Sequence, residues 1–281
     1  MTDASPRGRL LVVGTPIGNL GDLSPRAASA LADADLVVAE DSRLAARLLA
    51  HVGARRPTLS FNDHNVSERL PGLLSRLAAG ETLALTTDAG MPAVSDPGAA
   101  LVAAARARGA SVEVVPGPSA VTAAVALAGI EAGGFVFGGF LPSRPVAARV
   151  ARLSALLAAA GSLGQPLVLF EAPHRVADLL EQLGSEAPGA QVAVSREITK
   201  RHEETLVGTP AAVAAALGSP RGEFTIVVSG IAAAAAAAEL DARAVVETGR
   251  RLKLSERAIV EILRATGVAR REAYRLVQEQ R

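Results

Sequence analysis

Three runs of glycine, proline and small polar residues stand at the ends of apolar stretches. They are Gly14-Thr15-Pro16-Ile17-Gly18-Asn19-Leu20, Thr86-Thr87-Asp88-Ala89-Gly90-Met91-Pro92 (with Ser95-Asp96-Pro97-Gly98 behind it), and Val115-Pro116-Gly117-Pro118-Ser119-Ala120. Glycine lets backbone approach a ligand, and proline and aspartate build tight turns. One loop of this kind is an ordinary turn, but three at successive strand ends describe a small-molecule cleft. Ionisable groups stand at similar places. Ala39-Glu40-Asp41-Ser42-Arg43 offers an acidic pair that reads as a base, as a cation ligand, or as the N-terminal cap of a helix. Asn62-Asp63-His64-Asn65 reads as a substrate contact or as an exposed turn. Phe170-Glu171-Ala172-Pro173-His174-Arg175 and Ser195-Arg196-Glu197-Ile198-Thr199-Lys200 hold the corresponding places in the second half.

Several chemistries lack their residues. Cysteine is absent, and the four histidines (His51, His64, His174, His202) show no zinc-ligand spacing, so no metal site is expected. There is no G-x-S-x-G nucleophile elbow, no phosphate-binding P-loop and no G-x-G-x-x-G dinucleotide fingerprint. Aromatic residues make up 2% of the chain, which does not suggest base stacking as the main mode of any nucleic-acid contact.

The elements that must position these loops alternate. Residues 9–14, 36–40, 58–61, 82–88 and 111–116 read as Val/Leu/Thr-rich strands, with helical stretches such as 24–34 and 97–109 between them. That order predicts a mostly parallel sheet covered on both faces. A second set of strands falls at 135–140, 167–172, 191–197, 204–208 and 223–230, with helices at 146–160, 174–183 and 210–217. The strand at 204–208 follows its predecessor so closely that a mixed sheet is expected here. Gly and Pro cluster at 116–134, which places a domain break there. The seven alanines Ala232–Ala238 read as helix or linker. Beyond them Ser255-Glu256-Arg257 leads into Ile259, Ile262 and Leu263, then a Thr266-Gly267-Val268 turn and a helix over 270–280, the spacing of a helix-turn-helix.

The length of 281 residues suits two domains, here 1–118 and 119–231, and a tail at 241–281. No run of 18 apolar residues occurs and the first ten residues carry no apolar core, so a soluble cytoplasmic protein without a membrane span is expected. The net charge of +1 hides an asymmetry. Residues 241–281 hold ten Lys/Arg and six Asp/Glu, net +4, against 19 and 22, net −3, in the rest. A basic tail on an acidic body reads as a polyanion contact or as a solvated helical face.

The loops together resemble the tetrapyrrole methylase superfamily, and within it the group that methylates ribose 2′-hydroxyls of small-subunit ribosomal RNA. The carriers are Thr15–Leu20, Ala39–Arg43, Asp63-His64-Asn65, Thr87–Gly90 with Asp96-Pro97-Gly98, Pro116–Ser119, Gly139-Phe140-Leu141-Pro142, His174-Arg175, Arg196–Lys200 and Gly222-Glu223, in the family's order across about residues 9–230. The resemblance implies a fold of two α/β domains with a cofactor cleft between them, followed by a small helical helix-turn-helix-like module. It implies S-adenosylmethionine as cofactor, 16S rRNA in the small ribosomal subunit as partner, and a homodimer. Carried onto this chain, the cofactor contacts are Ile17, Asp88, Ala89, Gly90, Met91, Ser119, Ala120, Phe170 and Phe224. Met91 stands where relatives often have Thr, and Phe170-Glu171-Ala172-Pro173 where a Tyr-Glu-Ser-Thr type run is common. Asp41, His64 and Glu171 are the candidate bases for the hydroxyl proton, and Lys200 a candidate for orienting the hydroxyl or a phosphate. Arg43, Asn65, Arg175 and Arg196, with Arg270, Arg271 and Arg275 of the tail, are the candidate RNA contacts. Porphyrin-type members usually carry a G-x-G-P-G first loop; Pro16-Ile17-Gly18-Asn19-Leu20 in its place favours RNA over the alternative, a tetrapyrrole substrate.

Overall fold

The computed structural model describes residues 8–94, 98–131, 133–218, 221–232, 242–252, 254–265, 268 and 270–279. Its first unit is a five-stranded parallel sheet in the order β3-β2-β4-β1-β5. The strands are β1 (Arg9–Val13), β2 (Leu36–Ala39), β3 (Thr58–Ser60), β4 (Thr82–Leu85) and β5 (Ser111–Val115). The helices between them are α1 (Pro25–Asp33), α2 (Ser42–His51), α3 (Val66–Ala78) and α4 (Gly98–Ala107). Strands buried on both faces need no polar alternation, and all four residues of β2 are buried. Leu10, Leu36, Val38, Leu83 and Leu85 pack one face with α3 and α4; Leu11, Val13, Val37 and Ala84 pack the other with α1 and α2. Helix starts are set by short side chains. Ser24 accepts from the Ala27 amide and Asp41 from the Arg43 amide.

The connection from β1 runs to one side of the sheet and that from β4 to the other. Open α/β sheets bind ligands at the carboxyl ends of strands beside such a switch point.

The second sheet has the order β6-β7-β10-β8-β9. Its strands are β6 (Val136–Phe140), β7 (Leu167–Glu171), β8 (Gln191–Arg196), β9 (Glu204–Gly208) and β10 (Phe224–Ser229). Only β6 and β7 run parallel; β7–β10, β10–β8 and β8–β9 are antiparallel, so the sheet is mixed. Helices α6 (Val146–Leu163), α7 (Val176–Glu186) and α8 (Pro210–Ala216) cover its outer face through one large leucine- and valine-rich core. Helix α6 is long and apolar enough to cross a membrane by length and composition. Its buried residues Arg149, Leu153, Leu156, Leu157, Ala160 and Gly161 recur at helical spacing on one face, which makes it a core helix of this layer.

Where a Gly/Pro break was expected, residues Ala120–Ala128 form helix α5. Proline and glycine crowd the loop before it, and the alanine-rich segment after Ser119 is free to coil. Helix α5 packs on β8 and β10, the inner face of the second sheet. We therefore place the break just ahead of it, at residues 118–119. Helix α7 begins after a 3₁₀ turn, Pro173–Arg175, and β4 ends at Leu85, earlier than the residue pattern suggests.

The tail holds three helices where two were expected: α9 (Ala242–Arg251), α10 (Glu256–Ala265) and α11 (Arg270–Glu279). They share a core of their own, made by Val246, Ile259, Val260, Leu263, Ala273, Leu276 and Val277. Ala233–Ala238 and the Thr266-Gly267 turn lie outside the described residues, as do Ser95, Asp96 and Pro97.

Candidate active site

Backbone contacts splice the first-sheet loops together. The Gly14 amide donates to the Val115 carbonyl at 2.9 Å. Thr15 and Gly90 exchange amide–carbonyl bonds at 2.8 and 3.2 Å, and the buried Thr15 hydroxyl donates to the Thr87 carbonyl at 3.2 Å. Glycine is required at this junction: a Cβ on Gly14 would stand 2.5 Å from the Gly117 nitrogen, and one on Gly117 would stand 2.7 Å from the Gly14 carbonyl carbon.

These loops form one wall of a cavity of about 470 Å³. The facing wall comes from the second unit: Phe140 at the end of β6, Phe170 to Pro173 at the end of β7, Ile198, and Gly222 to Thr225 leading into β10. Residues Ile17, Asp88, Ala89, Gly90, Met91, Ser119, Ala120, Phe170 and Phe224 all line it. The structure thus brings together, from both units, every residue that the family resemblance assigns to the cofactor.

The cavity wall carries acidic side chains and no basic ones, although two of the acids are ion-paired behind it, Glu171 with Arg175 and Glu223 with Lys200. Glu40, Asp88, Glu171 and Glu223 line it, and none of its lining residues is Lys, Arg or His. The rest of the wall is largely apolar. An acidic, apolar pocket of this size fits a cationic small molecule such as a sulfonium. Ser119 caps α5 without a side-chain hydrogen bond, leaving first-turn N–H groups for an anionic end of the same ligand. Among the described residues no cluster of three metal-ligating side chains occurs.

The four catalytic candidates separate sharply, because only Glu171 lines the cavity. Its side chain has no solvent exposure. Arg175 holds Oε1 at 2.6 Å, the Ala172 amide donates to the same oxygen at 2.7 Å, and Arg149 of α6 stands 3.7 Å from Oε2. Oε2 accepts no hydrogen bond. Asp41 caps α2 and pairs with Arg43 at 2.6 Å. The hydrogen bond from the Arg43 side chain, followed by that from its amide, holds the carboxyl at about 2, which makes it a weak proton acceptor near neutrality. His64 is exposed in the loop after β3. Lys200 sits between Glu197 and Glu223, its Nζ 3.0 Å from each. Burial works to lower its pKa, but the two carboxylates outweigh burial and raise it, so it is a fixed ammonium. Its stem packs where a Cβ of Gly18 would go, 2.4 Å from its Cγ, and this ties the first loop to the second unit.

The candidate RNA contacts divide too. Arg43 is exposed although paired, whereas Arg175 turns inward to Glu171. Arg196 pairs with Glu204 at 2.7 Å. Asn65 is engaged within its own loop: its Oδ1 accepts from the Asn62 amide and its Nδ2 donates to the Ser60 carbonyl. Arg270 and Arg271 are exposed, and Arg275 pairs with Glu272. Arg175 and Asn65 therefore support the site rather than present themselves to a polyanion.

A sequence model of the tetrapyrrole (corrin/porphyrin) methylases matches residues 9–214, which cover the first sheet, the second apart from β10, and most of this cavity. The chain belongs to the tetrapyrrole methylase family. Its relatives include proteins named ribosomal RNA small subunit methyltransferase I. The one from Xylella fastidiosa is 43% identical over 253 residues, 88% of each chain. That from Thermotoga maritima is 39% identical over 79% of this chain and 99% of its own length. About a fifth of the present chain thus has no counterpart in the Thermotoga relative. Among solved structures, diphthine synthase superposes with a TM-score of 0.61 at 17% identity, covering 79% of this chain and 90% of that one. Uroporphyrin-III-C-methyltransferase from Thermus thermophilus gives 0.55 at 21%, covering 80% and 96%. Both share the fold.

Within this methylase framework, residue types offered Glu40 only as half of an acidic pair with Asp41 and Phe140 only as part of the Gly139–Pro142 run, and did not point to Arg149 at all. Arg149 carried the one available signal, an arginine on the apolar stripe of α6 with Leu153, Leu156 and Ala160. Asp88 and Asp41 are linked, since the Asp41 amide donates to Asp88 Oδ1 at 3.0 Å, yet only Asp88 lines the cavity. Asp88→Ala should therefore weaken S-adenosylmethionine binding about tenfold or more, and Asp41→Ala by less than about threefold. Calorimetric titration of both variants checks this. Equal affinities for wild type and Asp88→Ala would remove Asp88 from the cofactor site.

Proposed function

We propose that the protein methylates the 2′-hydroxyl of a cytidine ribose in the decoding region of 16S rRNA. The carrying observation is the acidic, apolar cavity between the two units. The roughly 40%-identical relatives named for ribosomal RNA point to the same substrate class. When bound, S-adenosylmethionine supplies an activated methyl group. Asp88, Gly90, Met91, Ser119, Ala120, Phe170 and Phe224 hold it. The chain's task is alignment of the hydroxyl with that methyl, an effect that reaches roughly 7–11 kcal/mol in ideal cases. Glu171 is the one candidate base that lines the cavity: Arg175 and the Ala172 amide fix Oε1, and Oε2, which is closed off beside Arg149 in this structure, must turn into the cavity to take the proton that the hydroxyl loses as the O–C bond forms. Lys200 acts as a positioning residue, not a base. The working species is a cytoplasmic homodimer, as the family resemblance implies.

Tail residues 241–281 contribute RNA affinity rather than chemistry. They form a separately cored helical unit with net charge +4, and Arg270 and Arg271 are exposed. Truncation before Asp241 should leave cofactor affinity unchanged, raise the small-subunit concentration needed for half-maximal rate, and flatten the salt dependence of subunit binding by about one log–log unit per lost phosphate contact. Parallel salt slopes for the two proteins would show that the tail does not touch RNA. The parent reading is tested by mapping ribose methylation of 16S rRNA in a strain lacking the protein. One methyl should vanish and return on complementation; an unchanged map refutes the assignment.

A further inference from the structure

The chain has six phenylalanines, one tyrosine and no tryptophan, yet Phe140, Phe170 and Phe224 all line the one cavity described above. Phe224 is buried. Phe140 is 56% exposed although it forms part of the wall, which puts it at the mouth. Its ring is propped rather than loose. Phe170 lies 5.3 Å away at 50°, and Phe137 backs Phe170 edge-on at 5.2 Å and 75°.

A β-bulge aims this ring. Along β6, Phe137 pairs with Val168, Gly139 with Leu169 and Phe140 with Phe170, so Gly138 is the extra residue. Side chains alternate faces along a strand, and an unbulged strand would put residues 137 and 140 on opposite faces. The inserted glycine puts both beside Val168 and Phe170 on the inner face. A side chain at position 138 would meet Leu156 and Leu169 at 2.7 Å, and Gly139 takes φ +64°. Two adjacent glycines with different constraints are thus used to turn one exposed aromatic toward the cavity. Bulges beside sites commonly re-aim a side chain in this way.

We propose that Phe140 is the stacking platform for the base of the nucleotide being methylated, which rests on the reading of RNA as substrate. A base has to leave its stack for its ribose to enter a cleft between two units, and an aromatic face at the mouth is what receives such a base. The ring reads a π-face and no hydrogen-bonding edge, so Phe140 supplies positioning and not base identity.

Three variants test this. Phe140→Ala should lower kcat/KM for unmethylated small ribosomal subunits roughly 5- to 100-fold, leave calorimetric S-adenosylmethionine affinity within about twofold, and be rescued by Phe140→Tyr. Phe140→Trp introduces the only tryptophan of the chain. Its fluorescence should be quenched by those subunits and unaffected by S-adenosylmethionine alone. Unchanged kcat/KM in Phe140→Ala overturns the proposal. So does a matching loss of cofactor affinity, or tryptophan quenching by the cofactor alone, because the ring then serves the cofactor. A wild-type protein that methylates no subunit defeats the RNA reading and this inference with it. Methylation by wild type with failure of the Phe140 arms defeats this inference alone.

Discussion

Glu171→Gln should abolish most methyl transfer, by about 10²–10⁴-fold in the single-turnover rate, while cofactor affinity changes little. Glutamine keeps the volume and an oxygen for Arg175 but cannot take a proton from a hydroxyl. Both variants remove the carboxylate from the Arg149–Glu171–Arg175 contact, and Glu171→Ala should do more because it also removes the oxygen that Arg175 and the Ala172 amide bond. Glu171 has no side-chain exposure, and Arg149 and Arg175 are 10% and 16% exposed. Removing one partner of a buried pair leaves uncompensated charge and costs about 3–5 kcal/mol. In a protein of this size that is a fall of roughly 6–20 °C in Tm. Denaturant unfolding of both variants beside rapid-quench kinetics separates the two roles. Full single-turnover rate in a folded Glu171→Gln protein would remove Glu171 as proton acceptor. The alanine variant would still report on the arginines.

Gly14→Ala should weaken S-adenosylmethionine binding by about 5- to 100-fold, with Gly117→Ala acting alike. The added methyl at position 14 meets the Gly117 nitrogen at 2.5 Å and Met91 Sδ at 2.6 Å. The methionine end can swing aside, but the Gly117 backbone is tied to its strand. The first and third loops must then part, and overpacking of this kind costs about 1–3 kcal/mol. Both substitutions force the same two loops apart, so the double variant should cost less than the sum. Gly72→Ala is the control. Gly72 lies on α3 with open space where its Cβ would go, and alanine there should stabilise by up to about 1 kcal/mol. Cofactor affinity at wild-type level in Gly14→Ala would mean that the loops are not the close-packed floor of the site.

Much of this architecture was legible in residue order. Strand–helix alternation follows from which residues bury on both faces, and the ten strands of the described residues fall within the runs read as strands, several of which end at Gly, Pro or Asp. The nine positions that the resemblance assigns to the cofactor line one cavity because the loops that carry them meet where the two units face each other. The Gly/Pro-rich stretch after β5 misled. Its punctuation marks only the loop, and α5 forms beyond it because alanine and valine coil well once packed on β8 and β10. The first helix of the tail, α9, is polar on average, and only Val245 and Val246 of its side chains join the tail core, too short an apolar run to read as a helix beside the seven alanines.

Residue types and spacing determined the fold class, the cofactor loops and the family. Tertiary structure decided among side chains of equal chemistry. Asp41 and Glu171 are both acids at strand ends, yet Asp41 caps a helix in solvent and Glu171 is buried against two arginines at the cavity. Arg43 and Arg175 look alike in sequence, but Arg43 points to water and Arg175 inward. Phe140 reaches the cavity only because one extra glycine in β6 shifts the pleat. Each of these choices depends on which distant element packs alongside. Local sequence carries the propensity to form a strand or a turn, whereas long-range packing sets where a given side chain points and what charge it meets there.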